Sequence, residues 1–116
     1  MKTTSASFGL VSVLIAVAAL ITAVIHLFLG IRDISSPLGI LFVLNGLGYI
    51  GLTTAFLFPF SFLAPVQPLI RWILAGFAGL TFILYFVFNG IALDAASGAA
   101  KGAELVLIVL LMFGRR

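Results

Sequence analysis

Residues 8–29 read FGLVSVLIAVAALITAVIHLFL and contain no charged residue. A helix that crosses the roughly 30 Å of membrane hydrocarbon needs about 20 mostly apolar residues, and this run supplies them. Three further apolar runs follow it, the last one interrupted by Lys101 and Glu104. The sequence therefore predicts an all-α fold, a four-helix transmembrane bundle with helices at about 8–30, 38–58, 69–93 and 95–114.

The composition indicates one membrane domain and little else. Of the 116 residues, 64% are hydrophobic and 8% are charged, so no stretch remains for a soluble domain. We expect residues 1–116 to form a single domain. Cysteine is absent, which excludes disulfides and thiol chemistry. The basic residues are too scattered to indicate nucleic-acid binding.

All four prolines fall between the predicted helices. Proline breaks a helix interior but suits the first turn, where its missing N–H is not needed. Ser36 and Pro37 read as the N-cap and first residue of the second helix, and Gln67-Pro68 opens the third in a similar way. Asp94 can cap the fourth helix.

The segment 59–68 between the second and third helices is unusually apolar for a loop. We expect it to lie in the membrane interface, where Arg71 and Trp72 would anchor the third helix. A plain hydrophobic turn is the alternative that the sequence leaves open.

The basic residues predict the orientation of the chain, because Lys and Arg are retained on the cytoplasmic side of a membrane. With four spans, the termini and the second loop share one side, which carries only basic charges: Lys2, Arg71, Arg115 and Arg116. The other side carries charges of both signs: Arg32, Asp33, Asp94, Lys101 and Glu104. We therefore expect both termini to be cytoplasmic, in a multi-pass protein of a prokaryotic inner membrane.

Polar side chains recur every four residues within three of the spans, and residues four apart share one helix face. The stripes are Thr22 and His26; Asn45, Tyr49 and Thr53; and Thr81, Tyr85 and Asn89. We expect Asn45 and Asn89 at a similar depth, with His26 close to both. A polar side chain in lipid is costly and normally faces other helices or a cavity. The candidate ligand-binding residues are therefore His26, Asn45, Tyr49, Tyr85, Asn89 and Glu104.

Two interpretations of these residues stay open. They either make hydrogen bonds that fix helix packing, or they form a ligand, ion or proton site. The imidazole of His26 can bind haem or metal, hydrogen-bond a quinone or carry protons. Glu104 either pairs with Lys101 or faces the core as a proton or cation acceptor. We predict no catalytic set and no metal site.

The segments HLFLG (residues 26–30) and LNGLGY (residues 44–49), together with the four spans, resemble those of small uncharacterised four-helix membrane proteins of bacteria and archaea. The resemblance covers the whole layout of the chain and implies no activity. Small multidrug transporters are similar in size. Their essential glutamate lies in the first helix, whereas the first helix here has no acid.

We expect a non-enzymatic accessory subunit that packs in a larger membrane complex, for example a respiratory or photosynthetic one. The reasons are the small soluble surface, the lack of a catalytic set and the glycines of the two central helices, namely Gly39, Gly46, Gly48, Gly51, Gly76 and Gly79. The alternatives are a binding protein for quinone, haem or lipid around His26, and a small dimeric proton-coupled transporter using Glu104. The expected partners are the lipid bilayer and another membrane protein or a second copy; the cofactor stays open.

Overall fold

The computed structural model describes residues 9–91 and 94–114. Within them the chain forms four α-helices and no strand: α1 (Leu10–Arg32), α2 (Pro37–Leu57), α3 (Gln67–Asn89) and α4 (Ala95–Phe113). All four helices are long and apolar enough to cross a membrane. The predicted all-helical, four-helix architecture is therefore confirmed.

The end of α3 departs most from the predicted bounds. The helix begins at Gln67, two residues before the predicted start, and ends at Asn89, four residues before the predicted end; residues 92 and 93 lie outside the described residues. Gly90 follows with φ 70° and ψ −161°, a non-helical conformation that is essentially restricted to glycine. Several residues used in the sequence predictions lie outside the described residues: Lys2, Phe8, Leu93, Arg115 and Arg116.

The predicted caps of α2 and α4 are confirmed. The Ser36 hydroxyl accepts a hydrogen bond from the Gly39 backbone N–H at 3.0 Å, and Pro37 opens the helix. The Asp94 carboxylate accepts from the Ser97 backbone N–H at 2.8 Å. This bond holds the pKa of Asp94 below its ordinary value, because it stabilises the charged form.

The four helices form a closed ring in which α1 and α3 each pack against both α2 and α4. Glycine permits the close approach of α1 and α2 at two positions. A Cβ atom at Gly46 would lie 2.7 Å from Cγ of Leu27 and 2.9 Å from the carbonyl oxygen of Ala23. One at Gly30 would lie 2.7 Å from the carbonyl oxygen of Gly39. A larger residue at either position would push the two helices apart.

Three other glycines have open space beside them. Within the part of the chain that the structure describes, a Cβ atom at Gly51, Gly76 or Gly79 would meet no atom within 4 Å. Of the two kinds of packing that the glycines of α3 indicate, within the chain or against a partner, Gly76 and Gly79 do not show the first.

The segment between α2 and α3 forms a short 3-10 helix, Ser61–Val66. Just beyond it, Arg71 donates a hydrogen bond to the carbonyl oxygen of Leu111 and lies over the Phe56 ring, 5.5 Å from its centroid. Leu111 lies in the last turn of α4, where carbonyl groups lack partners within the helix. Arg71 thus ties the start of α3 to the ends of α2 and α4, while Trp72 is exposed.

Candidate functional site

A buried ion pair lies in the interior of the bundle. Glu104 has no exposed surface, and Lys101 is 4% exposed. The Lys101 Nζ atom lies 2.6 Å from Oε1 of Glu104. Ionisable residues inside a membrane are costly and face the bundle interior or a cavity. The pairing that the spacing predicted is therefore present, and both of its members face the core.

Helix α1 supplies two further groups around the Glu104 carboxylate. The Thr22 hydroxyl donates a hydrogen bond to Oε2 at 2.8 Å. Nε2 of His26 lies 3.9 Å from the same oxygen. Thr22 and His26 are one turn apart, so both point from one face of α1. Since Thr22 lies near the middle of α1, the carboxylate lies deep within the bundle.

The hydrogen bonds of His26 determine which ring nitrogen carries a proton. Nδ1 lies 2.8 Å from the backbone carbonyl oxygen of Thr22. A carbonyl oxygen only accepts, so Nδ1 is the donor, and Nε2 of the neutral ring carries a lone pair. That lone pair faces the Glu104 carboxylate, which is itself an acceptor. An incoming proton can be held by either group, so His26 and Glu104 form a candidate proton-binding site.

Aromatic rings of α3 surround the ammonium group of Lys101. Its Nζ atom lies 5.0 Å from the centroid of the Tyr85 ring and 6.0 Å from that of Phe82. The backbone carbonyl oxygen of Thr81 accepts from it at 3.5 Å. A cation over an aromatic face is attracted by the ring quadrupole, more strongly where water is excluded. Helix α3 therefore offsets part of the cost of burying this charge.

The two asparagines of the stripes lie at different depths. Nδ2 of Asn45 donates to the Thr81 hydroxyl at 2.8 Å, so these two residues are level. Asn89 lies about two turns further along α3, about 12 Å by helical rise. It is exposed, and its amide donates to the carbonyl oxygen of Tyr85 at 3.0 Å. The expected common depth is wrong, because α2 begins at Pro37 and Asn45 is already two turns inside it.

Tyr49 lies next to the ion pair and is fully buried. The centroid of its ring lies 6.0 Å from that of the His26 imidazole, and its hydroxyl makes no hydrogen bond within the described residues. The ring packs edge-on against Phe77, with 4.9 Å between the ring centroids. Buried hydroxyls normally have partners, so Tyr49 carries unused hydrogen-bonding capacity beside His26.

His26 faces the interior of the bundle, but its protein partners are not the ones we expected. The sequence predicted an imidazole within hydrogen-bond reach of Asn45, Asn89, a tyrosine hydroxyl, water or a bound ligand. In the structure its nitrogens contact Thr22 and Glu104. The reason is the order of the helices around the ring, because α1 packs against α4 as well as α2.

Three residues of the site were absent from the predicted set: Thr22, Thr81 and Lys101. A signal for each was present in the spacing. Lys101 is three residues before Glu104, and the two threonines each lie four residues before a predicted site residue. The small residues around Lys101 belong to the first turns of α4, in which Ala100 and Ala103 are buried.

A cavity of about 130 Å³ opens beside Lys101, toward the loop that joins α1 and α2. Its polar lining consists of His26, Asn45, Thr81, Tyr85, Asn89 and Lys101. The cavity has room for several water molecules, since each occupies about 30 Å³ in the liquid. It is smaller than the roughly 300 Å³ at which ordinary ligand pockets begin. In residues 9–91 and 94–114, no three His, Cys, Asp or Glu side chains come together as metal ligands.

The fold and the site define a bundle of four helices that are long and apolar enough to span a membrane, built around a buried and hydrogen-bonded ion pair. Residues 1–113 match the family model of DUF7475, a family of unknown function. The chain therefore belongs to that family. Comparison with curated proteins and with solved structures gives no match.

Proposed function

We propose that this protein is a small proton-coupled transporter of a prokaryotic inner membrane, with Glu104 as its proton-binding residue and no enzymatic activity. The observation that carries the proposal is the position of the Glu104 carboxylate, fully buried between Lys101 on α4 and Thr22 and His26 on α1. A buried ion pair is weak evidence for stability. Ionisable residues inside membranes mark proton relays and ion pathways.

Charge balance supports a coupling between the proton and a second ion. The Glu104 carboxylate neutralises the Lys101 ammonium group at 2.6 Å. A proton bound by Glu104 leaves that ammonium group without a counter-ion in apolar surroundings, which is strongly unfavourable. A small anion that enters the 130 Å³ cavity beside Lys101 restores the balance. Proton binding and small-anion binding should therefore favour each other.

The same cavity gives less support to a site for quinone, haem or lipid around His26. Its volume of about 130 Å³ is small for such ligands. The two ring nitrogens of His26 are directed to the Thr22 carbonyl and the Glu104 carboxylate, so neither is free for axial ligation.

The orientation that we propose places both termini in the cytoplasm. Lys101 and Glu104 are buried, so neither counts among the charges of the loops. The α1–α2 loop and the start of α4 then carry Arg32 with the acids Asp33 and Asp94. The opposite side carries Arg71 and the terminal basic residues, a stronger asymmetry than the sequence alone suggested.

An accessory or oligomeric role is the second candidate. It is favoured by the open space beside Gly51, Gly76 and Gly79, where an added Cβ atom would meet nothing within 4 Å. Small residues on a membrane-facing surface let another helix approach closely. A second copy or a partner subunit is the proposed occupant. Native mass spectrometry of the gently purified protein distinguishes a stable complex from a monomer. Gly76→Leu fills the open space and should abolish such a complex.

Proton flux in vesicles tests the main proposal. The purified protein is reconstituted with a trapped pH indicator, and a chloride gradient is imposed, with gluconate as the larger control anion. We expect chloride to drive proton uptake in the wild type and not in Glu104→Gln. Asp33→Asn is the matched control, because Asp33 is an exposed acid outside the bundle. Equal flux in the wild type and Glu104→Gln would contradict the proposal.

A further inference from the structure

Helix α2 carries a column of buried oxygen atoms that lack protein partners. Oδ1 of Asn45, Oη of Tyr49 and Oγ1 of Thr53 each make no hydrogen bond within the described residues. The three residues follow one another at a spacing of four, so they lie on one face of the helix. A buried polar atom without a partner is destabilising, and native structures contain few of them. Three buried oxygens without partners on one helix face therefore indicate that the same kind of partner is missing from each.

Water can supply the missing partners of the column. Each of the three oxygens can accept a hydrogen bond, and a water molecule that bridges two polar groups serves each nearly as well as a direct hydrogen bond. Buried waters typically bind polar groups that are otherwise unsatisfied.

Cavities lie at both ends of the column. Asn45 lines the cavity of about 130 Å³ beside Lys101. Tyr49 and Thr53 line a larger space of about 370 Å³ between α1 and α2, which extends to Phe58 at the opposite end of the bundle. Water has polar partners in both cavities, but the second space is lined mostly by apolar side chains, and there the hydroxyls of Ser12, Tyr49, Thr53 and Thr54 are the side-chain groups that can hold it.

The column continues toward the α2–α3 loop. Gln67, the first residue of α3, donates from Nε2 to the carbonyl oxygen of Ala55 at 3.3 Å. Its Oε1 atom is also buried and has no partner within the described residues. The Gln67 amide therefore extends the row of available acceptors from Thr53 to the end of α2.

We infer that water molecules along this face of α2 form a proton route between Glu104 and the α2–α3 loop end of the bundle. The inference rests on the proposed role of Glu104 in proton binding. The ionisable groups that face the route are Glu104 and Lys101 from α4 and His26 from α1. The route begins at Tyr49, whose ring centroid lies 6.0 Å from that of His26, and Nε2 of His26 lies 3.9 Å from the Glu104 carboxylate.

The chemistry of the side chains assigns a role to each. The hydroxyls of Tyr49 and Thr53 can accept a proton from one water while donating their own to the next, and rotation restores the starting state. No bond other than O–H is made or broken, and no charge accumulates on either residue. The Asn45 Oδ1 atom only accepts, so Asn45 is a positioning residue that holds the water nearest the cavity.

Proton flux in variants of the column tests the route. In the vesicle assay, Thr53→Val and Tyr49→Phe should each lower chloride-driven proton uptake by about tenfold, since one lost hydrogen bond is worth roughly that factor. Thr54→Val is the matched control. Thr54 is the next residue along α2, but its hydroxyl donates to the carbonyl oxygen of Ile50 at 2.7 Å. The proton flux of Thr54→Val should therefore equal that of the wild type. Proton uptake at the wild-type rate in both Thr53→Val and Tyr49→Phe would overturn the route. If Glu104→Gln were inactive in the same assay, the proposed function would still hold.

Hydroxyl-radical footprinting by X-ray pulse gives a second readout that does not depend on transport. Radicals form from water at the site, so a side chain beside bound water is oxidised even when it is buried. We expect Tyr49, which has no exposed surface, to be oxidised in the wild-type protein and Leu74, equally buried among apolar side chains, to remain unmodified. An unmodified Tyr49 would overturn the water column whatever the flux. A labelled Tyr49 with no Glu104-dependent flux would support the column and contradict the proposed function.

Discussion

The hydroxyl of Thr22 donates a hydrogen bond of 2.8 Å to the buried carboxylate of Glu104, and so joins the middle of α1 to α4. The carboxylate also has a partner on its own helix, because Lys101 lies 2.6 Å from its other oxygen. The hydrogen bond that joins α1 to α4 is thus also part of the candidate proton site. Variants must be chosen to separate the stability of the bundle from proton binding.

Removing one member of the ion pair should destabilise the bundle strongly. Lys101→Met leaves the Glu104 carboxylate buried without its counter-ion, which costs about 3–5 kcal/mol. The double variant Lys101→Met with Glu104→Leu should recover most of that loss, because no charge remains in the core. The measurement is the free energy of unfolding in a detergent titration. A loss below about 1 kcal/mol in Lys101→Met, and in Glu104→Leu made alone, would indicate an exposed pair instead.

The imidazole of His26 should stabilise the bundle through its hydrogen bonds to Thr22. His26→Leu removes the donor at Nδ1 and leaves the Thr22 carbonyl oxygen without that contact, for a loss of about 1–3 kcal/mol. His26→Gln should be milder, because an amide retains a donor and an acceptor. Thermal unfolding of the two variants, side by side, checks the order. Equal stability of Leu and Gln at this position would contradict the role given to the ring nitrogens.

Close packing of α1 and α2 predicts opposite effects for two glycines of α2. Gly46→Ala places a Cβ atom 2.9 Å from the carbonyl oxygen of Ala23, and such overpacking typically costs about 1–3 kcal/mol. Gly51→Ala meets nothing within 4 Å and should stabilise by up to about 1 kcal/mol, because alanine favours the helix. Unfolding in detergent provides the comparison. If both variants destabilised the protein equally, the close contact at Gly46 would be wrong.

The sequence was sufficient for the number of helices and for the N-caps of α2 and α4, whereas Gln67 is already helical and does not cap α3. Apolar runs fixed the number of helices because a bilayer demands a minimum length. The pairs Ser36–Gly39 and Asp94–Ser97 follow from local capping chemistry. The end of α3 was missed because the apolar run continues beyond Gly90, and hydropathy does not detect a change of backbone conformation.

The candidate site was predicted less completely than the fold. Periodicity placed Thr22 with His26 on one helix face, and spacing paired Lys101 with Glu104. Nothing in either pattern shows which helices are neighbours in the ring, so the bond from Thr22 to Glu104 was not predicted. The Asn45–Thr81 pair likewise depends on the relative shift of α2 and α3, which short loops do not determine.

The charge asymmetry predicts which loops face the outside of the cell. The chain has no cysteine, so single cysteines can be introduced without background. Ser35→Cys, in the α1–α2 loop, should react with an impermeant maleimide in intact cells. Ser61→Cys, in the α2–α3 segment, should react only after the cells are opened; both positions are exposed. The reverse pattern of labelling would place the termini outside.

The central claim is that Glu104 binds and releases a proton inside the bundle, and infrared difference spectroscopy observes that event directly. Spectra of the reconstituted protein at two pH values should contain the carbonyl stretch of a protonated carboxylic acid. The band should be absent in Glu104→Gln and unchanged in Asp33→Asn, in which only an exposed acid is removed. A wild-type protein without this band, or a band that persists in Glu104→Gln, would contradict the account.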